Sequence, residues 1–454
     1  MRPAMPIFGF CGTQARLGLP SLAMAFVLIL ITALVPARAA VDIQEVRSDK
    51  GITAWLVEDY TVPLVSIRFV FEGGTTQDPD DKLGLANLMS GLFDEGAGDM
   101  DSDAFQEALD DVGAEMSFSA TSDSIAGSMR TLADTREEAF RLLSLAVQKP
   151  RFDQAPVDRI RAQILTSIRA NERDPDTLAR RAFAKALYGD HPYSRPGDGL
   201  PDTLPKITPD DLKAFHKRVF ARDNLKIAIV GAIDAETVKR ELDRVFADLP
   251  EKADLVPVPD IAPKLDQTVR QVYDLPQTNI QLVYPGIARK DPEFFAAFMM
   301  NHVLGGGTFS SRLFTEVREQ RGLAYGVSSG LSNLDHSSRL MMGTATASGK
   351  AEETLSVIKD VVARMAAEGP TEEELADAKR YQLGAYAINN LDSSASIANT
   401  LVQIQVEDLG IDYIERRGDL INAVTREQVA AVARRLLIDK PAVLIVGPEP
   451  GSGG

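Results

Sequence analysis

Cysteine, tryptophan and histidine are all scarce in the 454-residue sequence, which has one Cys, one Trp and four His. The single cysteine, Cys11, excludes a disulfide framework, a cysteine-based zinc site and a dithiol redox pair. The histidines are His191, His216, His302 and His336, and no two of them can share a helical turn as metal ligands. A site assembled from distant ligands stays conceivable, but no short-range pair is present to begin one.

Positive charge is scarce as well, with 49 Lys and Arg against 65 Asp and Glu and a net charge of −16. A surface of this average sign repels phosphate backbones, so nucleic-acid binding is not expected. The content of 44% hydrophobic and 25% charged residues is typical of a folded protein. At ~150 residues per domain the length suggests roughly three domains, or two if they are larger α/β domains.

The N-terminal segment 1–39 has the pattern of a secretory signal peptide. Basic residues precede an apolar run over residues 17–35, and an A-x-A cleavage site ends at Ala39. We therefore expect export to the periplasm and removal of this segment. An uncleaved membrane anchor is the alternative, because the run nearly reaches the ~20 residues that span a bilayer. Pro20 interrupts the run and favours cleavage, after which no stable membrane span is expected.

The remaining sequence contains an internal repeat. Residues 207–231 and 424–447 share a Thr that can cap a helix, an amphipathic helix, a short break and an apolar strand that ends in Gly. Strand patterns over residues 64–72 and 279–284 precede the two copies at similar places, and the first of them alternates as a half-buried strand does. The repeat predicts two similar lobes of about 200 residues each.

A proline-rich segment separates the two copies. Residues 249–267 contain four prolines, which disfavour a continuous helix or a central strand and indicate an extended linker. We therefore expect an N-terminal lobe (40–248), this linker, a C-terminal lobe (268–449) and a short tail (450–454). The predicted fold class is α/β of the α+β type, with two similar lobes that each consist of a mainly antiparallel sheet packed with helices.

Some short patterns have ordinary structural interpretations. Asp99, Asp101 and Asp103 imitate the opening of a calcium loop, but Ala and Asp occupy the sixth and twelfth positions, where that loop needs Gly and Glu. We interpret them as a solvated turn and a helix cap, with Asp103 as the cap and Gln106 completing a capping box. His191, in the sequence D-H-P-Y, is predicted to form a structural turn. No G-x-S-x-G nucleophile elbow is present.

The most specific motif lies in the second lobe. Ser310 or Ser311 can cap a helix that Gly322 ends, and a strand pattern follows. This order places Arg318 in the last helical turn, near the start of a strand that displays Tyr325. A guanidinium and a phenol so placed can donate to a peptide carbonyl, and the phenol can stabilise an oxyanion. Taken singly, each residue also has a structural explanation, through the helix dipole or strand packing.

The stretch R-E-Q-R-G-L-A-Y from Arg318 to Tyr325 resembles the R-E-x-x-G-L-A-Y motif of the pitrilysin/insulinase-like (inverzincin) metallopeptidases, especially the short two-lobed bacterial members that work as pairs of chains. The resemblance covers nearly all of the chain after residue 39. It implies that Arg318 and Tyr325 bind the substrate backbone beside a zinc ion held by the other lobe or by a partner chain. It also implies that Gly305, Gly306 and Gly307 lie near the substrate channel, where a gating role and an ordinary helix-start turn are both open.

The zinc motif of that family is missing where it is expected. The family reads G-L-A-H-x-x-E-H after the same strand and break, and this chain has Asn87, Ser90 and Gly91 at the His, Glu and His positions. Ser167 stands where a further Glu ligand is expected. The resemblance therefore implies a non-catalytic subunit with no cofactor of its own, which forms a heterodimer with a catalytic sister chain that holds zinc in an intact H-x-x-E-H motif and acts on peptides or unfolded polypeptides.

Two other functions stay open at this point. One is a self-sufficient zinc peptidase with unconventional ligands, which metal analysis of the isolated chain would identify. The other is a peptide-binding or scaffold protein with no role in proteolysis.

Overall fold

The computed structural model describes residues 41–438 and 440–449. The predicted signal peptide, with Cys11, and the tail from residue 450 lie outside the described residues. Within the described part of the chain, no helix combines the length and the apolar character that crossing a bilayer requires.

The first β-sheet has six strands. They are β1 Gln44–Arg47, β2 Thr53–Glu58, β3 Leu64–Glu72, β4 Glu115–Ala120, β5 Ser124–Leu132 and β6 Leu225–Gly231. Their order across the sheet is β1-β2-β6-β3-β5-β4. Neighbouring strands are antiparallel except β2 and β6, which are parallel.

The second sheet repeats this arrangement with five strands. They are β7 Thr268–Val272, β8 Gln277–Pro285, β9 Ala324–Leu334, β10 Ser337–Ala347 and β11 Ala442–Gly447. Their order is β7-β11-β8-β10-β9, and only β7 and β11 are parallel. The predicted fold class of two lobes, each a mainly antiparallel sheet packed with helices, is confirmed.

Helices accompany both sheets. Those of the first half of the chain are α1 Leu85–Ser90, α2 Ser102–Asp111, α3 Arg136–Gln148, α4 Gln154–Asn171, α5 Pro175–Tyr188, α6 Pro209–Val219 and α7 Ala235–Phe246. Those of the second half are α8 Phe294–Asn301, α9 Arg312–Phe314, α10 Ala351–Glu368, α11 Glu372–Asn390, α12 Ser394–Val406, α13 Tyr413–Asn422 and α14 Arg426–Leu436. Two π-helical turns, His302–Gly306 and Thr315–Glu319, continue α8 and α9. Six 3₁₀ turns complete the described helices: Thr75–Gln77, Asp80–Lys82, Pro192–Ser194, Leu204–Lys206, Thr308–Ser310 and Ser348–Lys350.

The two copies of the sequence repeat occupy equivalent places in the two sheets. Thr208 begins α6 with a capping box that includes Asp211, and Thr425 begins α14 with one that includes Gln428. The strands that follow are also equivalent, because β6 is parallel to β2 and antiparallel to β3, while β11 is parallel to β7 and antiparallel to β8. The helix and strand predicted in each copy are confirmed.

One helix of each lobe packs on the sheet of the other lobe. The α5 helix packs on β7 and β11, where Phe183 and Leu187 join a buried cluster with Leu444. The α12 helix packs on β3 and β6, and the Gln405 side chain donates to the backbone carbonyl of Ile227 over 2.8 Å. This exchange joins the two lobes through apolar burial on both sheets.

The exchange explains why β3 is more buried than its sequence predicts. Ser66, the polar residue of the alternating pattern, is only 4% exposed, and Val65, Ile67 and Val70 are buried as well. Because α12 covers the second face of the sheet, the prediction of a half-buried strand is wrong.

The segment 249–267 contains no helix or strand and runs along both lobes. The backbone nitrogen of Val256 donates to the Gln77 side chain over 2.7 Å, and the Gln77 amide donates back to the Val256 carbonyl over 3.0 Å. The His191 ring bonds the Pro259 carbonyl over 2.8 Å through Nε2 and accepts from the backbone nitrogen of Tyr193 through Nδ1. The predicted structural turn at His191 is thus confirmed.

The start of α2 differs from its prediction. Asp101, not Asp103, caps this helix and accepts from the backbone nitrogen of Ala104 over 3.0 Å. Gln106 does not complete a capping box, because its amide donates to the backbone carbonyl of Asp94 over 2.9 Å. Asp103 lies in the first helical turn, where a carboxylate is also favoured by the helix dipole.

Candidate functional site

The Arg318 guanidinium lies between two aromatic rings. Its Cζ is 4.6 Å from the ring centroid of Tyr325 and 4.8 Å from that of Phe314. Both contacts have the geometry of a cation–π interaction. The predicted proximity of Arg318 and Tyr325 is confirmed. Phe314 is not among the predicted site residues, although its position four residues before Arg318 is a signal for this contact.

Arg318 differs from the arginines around it in having no ionic partner. Arg312 is paired with Glu374 at 2.6 Å, and Arg321 with Glu316 at 2.5 Å. Among the described residues, no carboxylate or carbonyl accepts a hydrogen bond from Arg318. Its N–H groups are therefore available to a ligand, while the two rings hold the guanidinium in place.

Tyr325 presents its side chain to solvent at the start of β9. It is 86% exposed, and no described residue hydrogen-bonds its hydroxyl. Strand β9 is an edge strand that pairs only with β10 in the described sheet. The backbone next to Tyr325 is fixed, because Thr344 Oγ1 donates to the Gly326 carbonyl over 2.7 Å. The site thus combines an exposed phenol, an unpaired guanidinium and an unpaired strand edge.

The glycine segment lies between the end of α8 and the 3₁₀ turn Thr308–Ser310. Gly305 and Gly306 belong to a π-helical turn, and Gly307 caps it. A Cβ at Gly305 would lie 2.8 Å from the backbone nitrogen of Ser329, and one at Gly307 would lie 2.8 Å from the backbone oxygen of His302. Gly307 also caps the 3₁₀ turn Thr308–Ser310, in agreement with the interpretation as a helix-start turn, and close packing explains why Gly305 and Gly307 lack side chains. A gating role stays a prediction.

The positions of the degenerate zinc motif do not form a metal site. Ser90 Oγ donates to the backbone oxygen of Asn87 over 2.8 Å. A Cβ at Gly91 would lie 3.2 Å from Ile160 Cγ2 on α4, so a side chain there would meet that helix. Ser167 lies exposed on the same helix. With neither imidazole nor carboxylate at these positions, the residues do not fit zinc.

Glu95, which lies a few residues after the degenerate zinc motif, already has polar partners. It forms an ion pair with Arg159 of α4 and accepts a hydrogen bond from Ser102 Oγ over 2.5 Å. Across the described ranges, no group of three or more His, Cys, Asp or Glu is arranged to hold a metal ion.

A buried carboxylate positions α1. Asp78 is 4% exposed and accepts hydrogen bonds from the backbone nitrogens of Gly84 and Ala86, over 2.8 and 3.0 Å. Burial raises the pKa of Asp78 to about 7, against the effect of these hydrogen bonds. Asp78 is not among the predicted site residues. The sequence around the degenerate zinc motif gives no signal for it, because Asp78 acts on backbone nitrogens six and eight residues further along the chain.

The sequence and the fold were compared with known protein families and solved structures. The model of the insulinase family (peptidase family M16) matches residues 54–197, and that of the peptidase M16 inactive domain matches residues 206–381. The crystal structure of a peptidase M16 inactive domain from Pseudomonas fluorescens superposes with a TM-score of 0.83 at 32% identity, covering 90% of this chain and 98% of that one. The chain belongs to the M16 insulinase family.

Its M16 relatives bear names of two kinds. A "non-peptidase homolog YmxG" of Helicobacter pylori is 26% identical over 350 residues, covering 76% of this chain and 79% of that protein. An "uncharacterized zinc protease" of Streptomyces coelicolor is 28% identical over 352 residues, covering 75% of each. This chain has Asn87, Ser90 and Gly91 in place of the zinc motif, which is consistent with the inactive M16 domain and the non-peptidase homologue among its relatives.

Proposed function

We propose that the protein is the non-catalytic, substrate-binding subunit of a heteromeric periplasmic zinc metalloendopeptidase. In this proposal Arg318 and Tyr325 bind the peptide backbone at a zinc site that belongs to a partner chain with an intact H-x-x-E-H motif. The observation that carries the proposal is the unpaired Arg318 guanidinium held against an 86% exposed Tyr325. The two groups offer N–H and O–H donors with no acceptor among the described residues.

The chemistry of the pair suits a scissile peptide bond. The guanidinium can donate hydrogen bonds to a carbonyl oxygen, and the phenol can donate to the oxygen that gains negative charge as the carbonyl is attacked. Preorganised donors of this type contribute roughly 3 kcal/mol each in other enzymes. Contacts with Phe314 and Tyr325 position the guanidinium before substrate arrives, so less side-chain entropy is lost on binding.

The open edge of β9 supports the choice of an extended peptide as substrate. An edge strand leaves N–H and C=O groups to which a peptide can add as a further strand, with main-chain hydrogen bonds that do not depend on its sequence. Tyr325 lies at one end of that edge. Peptides or unfolded polypeptides fit such a surface better than folded proteins do.

Export and pairing complete the proposal. The signal-peptide pattern of residues 1–39 supports a periplasmic location. The absence of zinc ligands at Asn87, Ser90 and Gly91 makes the subunit depend on a sister chain for the metal, so no cofactor is assigned to this chain itself.

Reconstitution tests the proposal. The chain without residues 1–39 is purified alone and together with a sister chain that carries H-x-x-E-H, and both peptide hydrolysis and zinc per complex are measured. We expect hydrolysis and one zinc only in the pair. Hydrolysis with one bound zinc in the isolated chain would overturn the proposal in favour of a self-sufficient peptidase. A stable pair without hydrolysis of any peptide would overturn it in favour of a scaffold.

A further inference from the structure

A pocket of about 270 Å³ lies between α8, α11 and α13 in the second lobe. Aromatic side chains from all three helices line it, among them Phe298, Tyr386 and Tyr413. Tyr381 stands at its rim, 56% exposed. Neither Arg318 nor Tyr325 belongs to this pocket, and the proposed function gives it no task.

Two arginines line the pocket, and only one of them is neutralised. Arg289 Nε is paired with Glu407 at 2.8 Å, and Arg289 Nη2 donates to the Tyr413 hydroxyl over 2.7 Å. Arg417 is 7% exposed and donates to the backbone oxygen of Gln382 over 3.1 Å. No carboxylate of the described residues pairs with Arg417.

A buried charge without a counterion is costly, and proteins compensate it with an opposite charge or a full set of hydrogen bonds. Arg417 bonds the backbone oxygen of Gln382, the amide oxygen of the same residue over 3.4 Å and the Tyr413 hydroxyl, and none of these acceptors carries a negative charge. Its Cζ lies 4.1 Å from the ring centroid of Tyr386, which adds a cation–π contact but no neutralising charge. The net local charge of the two arginines and Glu407 is therefore positive.

The other groups around the pocket suit an anion with an apolar part. No acidic side chain of the described residues lines the pocket, whereas the side-chain amide of Asn389 does. The Tyr386 hydroxyl has no hydrogen-bond partner among the described residues, so it can donate. The phenylalanine rings of α8 supply an apolar wall beside the two arginines.

We propose that this pocket binds the carboxylate of an apolar acid, with the carboxylate on Arg417 and Tyr386 and the apolar group against Phe298 and its neighbours on α8. A guanidinium forms charge-assisted, bidentate hydrogen bonds with a carboxylate, and Arg417 has no carboxylate partner among the described residues. Two sources share this chemistry. One is the C-terminus of a peptide that ends in an apolar residue, and the other is a free aromatic or aliphatic acid.

Calorimetry with matched acids and amides tests the site on the purified chain without a partner, so the result does not depend on the proposed peptidase. N-acetylphenylalanine is compared with N-acetylphenylalanine amide, and a pentapeptide ending in Phe with the same peptide amidated. We expect each acid to bind at least about tenfold more tightly than its amide. A peptide acid that binds more tightly than N-acetylphenylalanine identifies a peptide C-terminus as the ligand, and equal affinity identifies a free acid.

Variants locate the binding. Arg417→Gln should abolish the preference for acids, and Tyr386→Phe should weaken acid binding at least threefold, which keeps the test valid if Arg417→Gln does not fold. Arg380→Gln is the control, because it removes an exposed arginine of α11 that is paired with Asp377. Equal binding of acid and amide, no binding of any acid, or unchanged acid binding in Tyr386→Phe and in a folded Arg417→Gln would overturn the proposal.

Discussion

The backbone nitrogen of Asp335 donates a hydrogen bond to the Asp123 carboxylate over 3.2 Å. Asp123 lies in the turn between β4 and β5, and Asp335 in the turn between β9 and β10, so equivalent hairpins of the two lobes meet at their tips. The Tyr193 hydroxyl donates to Asp123 over 2.9 Å and accepts from the backbone nitrogen of His336 over 2.9 Å. The junction between the lobes thus places two carboxylates side by side.

This junction predicts a pH dependence. Burial, followed by repulsion from Asp123, raises the pKa of Asp335 to about 6, with Glu72 and Glu407 adding to the repulsion and His336 opposing it. The Asp335 carboxyl therefore binds a proton more tightly in the folded chain than in the unfolded chain. Above pH 6, where this carboxyl is ionised in both states, it destabilises the folded chain most. This destabilisation disappears as the pH falls towards 4.

Asp335→Asn should therefore raise the melting temperature at pH 8, by at most about 2 °C because solvent screens the exposed Asp335 side chain, and have less effect at pH 5. Differential scanning calorimetry at both pH values measures this. Asp260→Asn is the control, since it removes a 90% exposed carboxylate that contacts the same hairpin through His336. A gain in melting temperature that is equal at pH 8 and pH 5 would show that repulsion at this junction is not the cause.

His216 predicts destabilisation by acid. Burial lowers the pKa of His216 to about 4, although its Nε2 bonds the Val147 carbonyl over 2.8 Å. The unfolded chain takes up the proton below pH 6.5, whereas the folded chain keeps this ring neutral down to about pH 4. The free energy of unfolding should therefore fall by up to about 3 kcal/mol between pH 6.5 and 4 through this residue alone.

Urea unfolding of the wild type and of His216→Gln at pH 7, 5.5 and 4.5 measures the effect, because glutamine can donate to Val147 but does not titrate. The variant should lose less stability on acidification than the wild type. Lys213→Gln, at an exposed position of the same helix, should follow the wild type. Parallel losses in the wild type and His216→Gln would contradict the assignment.

The glycine segment offers a matched pair of variants. A Cβ at Gly305 would lie 2.8 Å from the Ser329 backbone, whereas a Cβ at Gly330 would have no atom within 4 Å. Gly305→Ala should cost about 2 kcal/mol of unfolding free energy because the backbone has to move, and Gly330→Ala should change it by less than about 1 kcal/mol. Urea denaturation measures both. Equal stabilities would mean that the segment adapts freely and that close packing does not require a glycine at position 305.

Local patterns predicted much of the fold. Both repeat copies could be identified because their features are local. Thr208 and Thr425 cap helices through residues three positions away, and the apolar strands follow directly after those helices. The contact of Arg318 with Tyr325 was also predictable, since one helix end and one turn separate them.

Features that depend on distant residues could not be predicted. The α12 helix covers β3 from more than 300 positions away in sequence, so the alternation of β3 indicated only one buried face. The close packing at Gly305 depends on Ser329 of strand β9. Arg289 lies in a turn after β8 and Arg417 in α13, and they share a pocket only after the second lobe has folded. Asp101 and Asp103 are both good capping residues, and only the backbone conformation distinguishes them.

The most direct test of the central claim is turnover by the reconstituted pair with Arg318→Ala or Tyr325→Phe in this subunit. Each variant should lower kcat by about 10² and leave the zinc content of the pair unchanged, because the donors act on the substrate and do not hold the metal. Arg321→Ala is the matched control, since it removes a neighbouring arginine that is already paired with Glu316. Unchanged kcat in both Arg318→Ala and Tyr325→Phe would contradict the account.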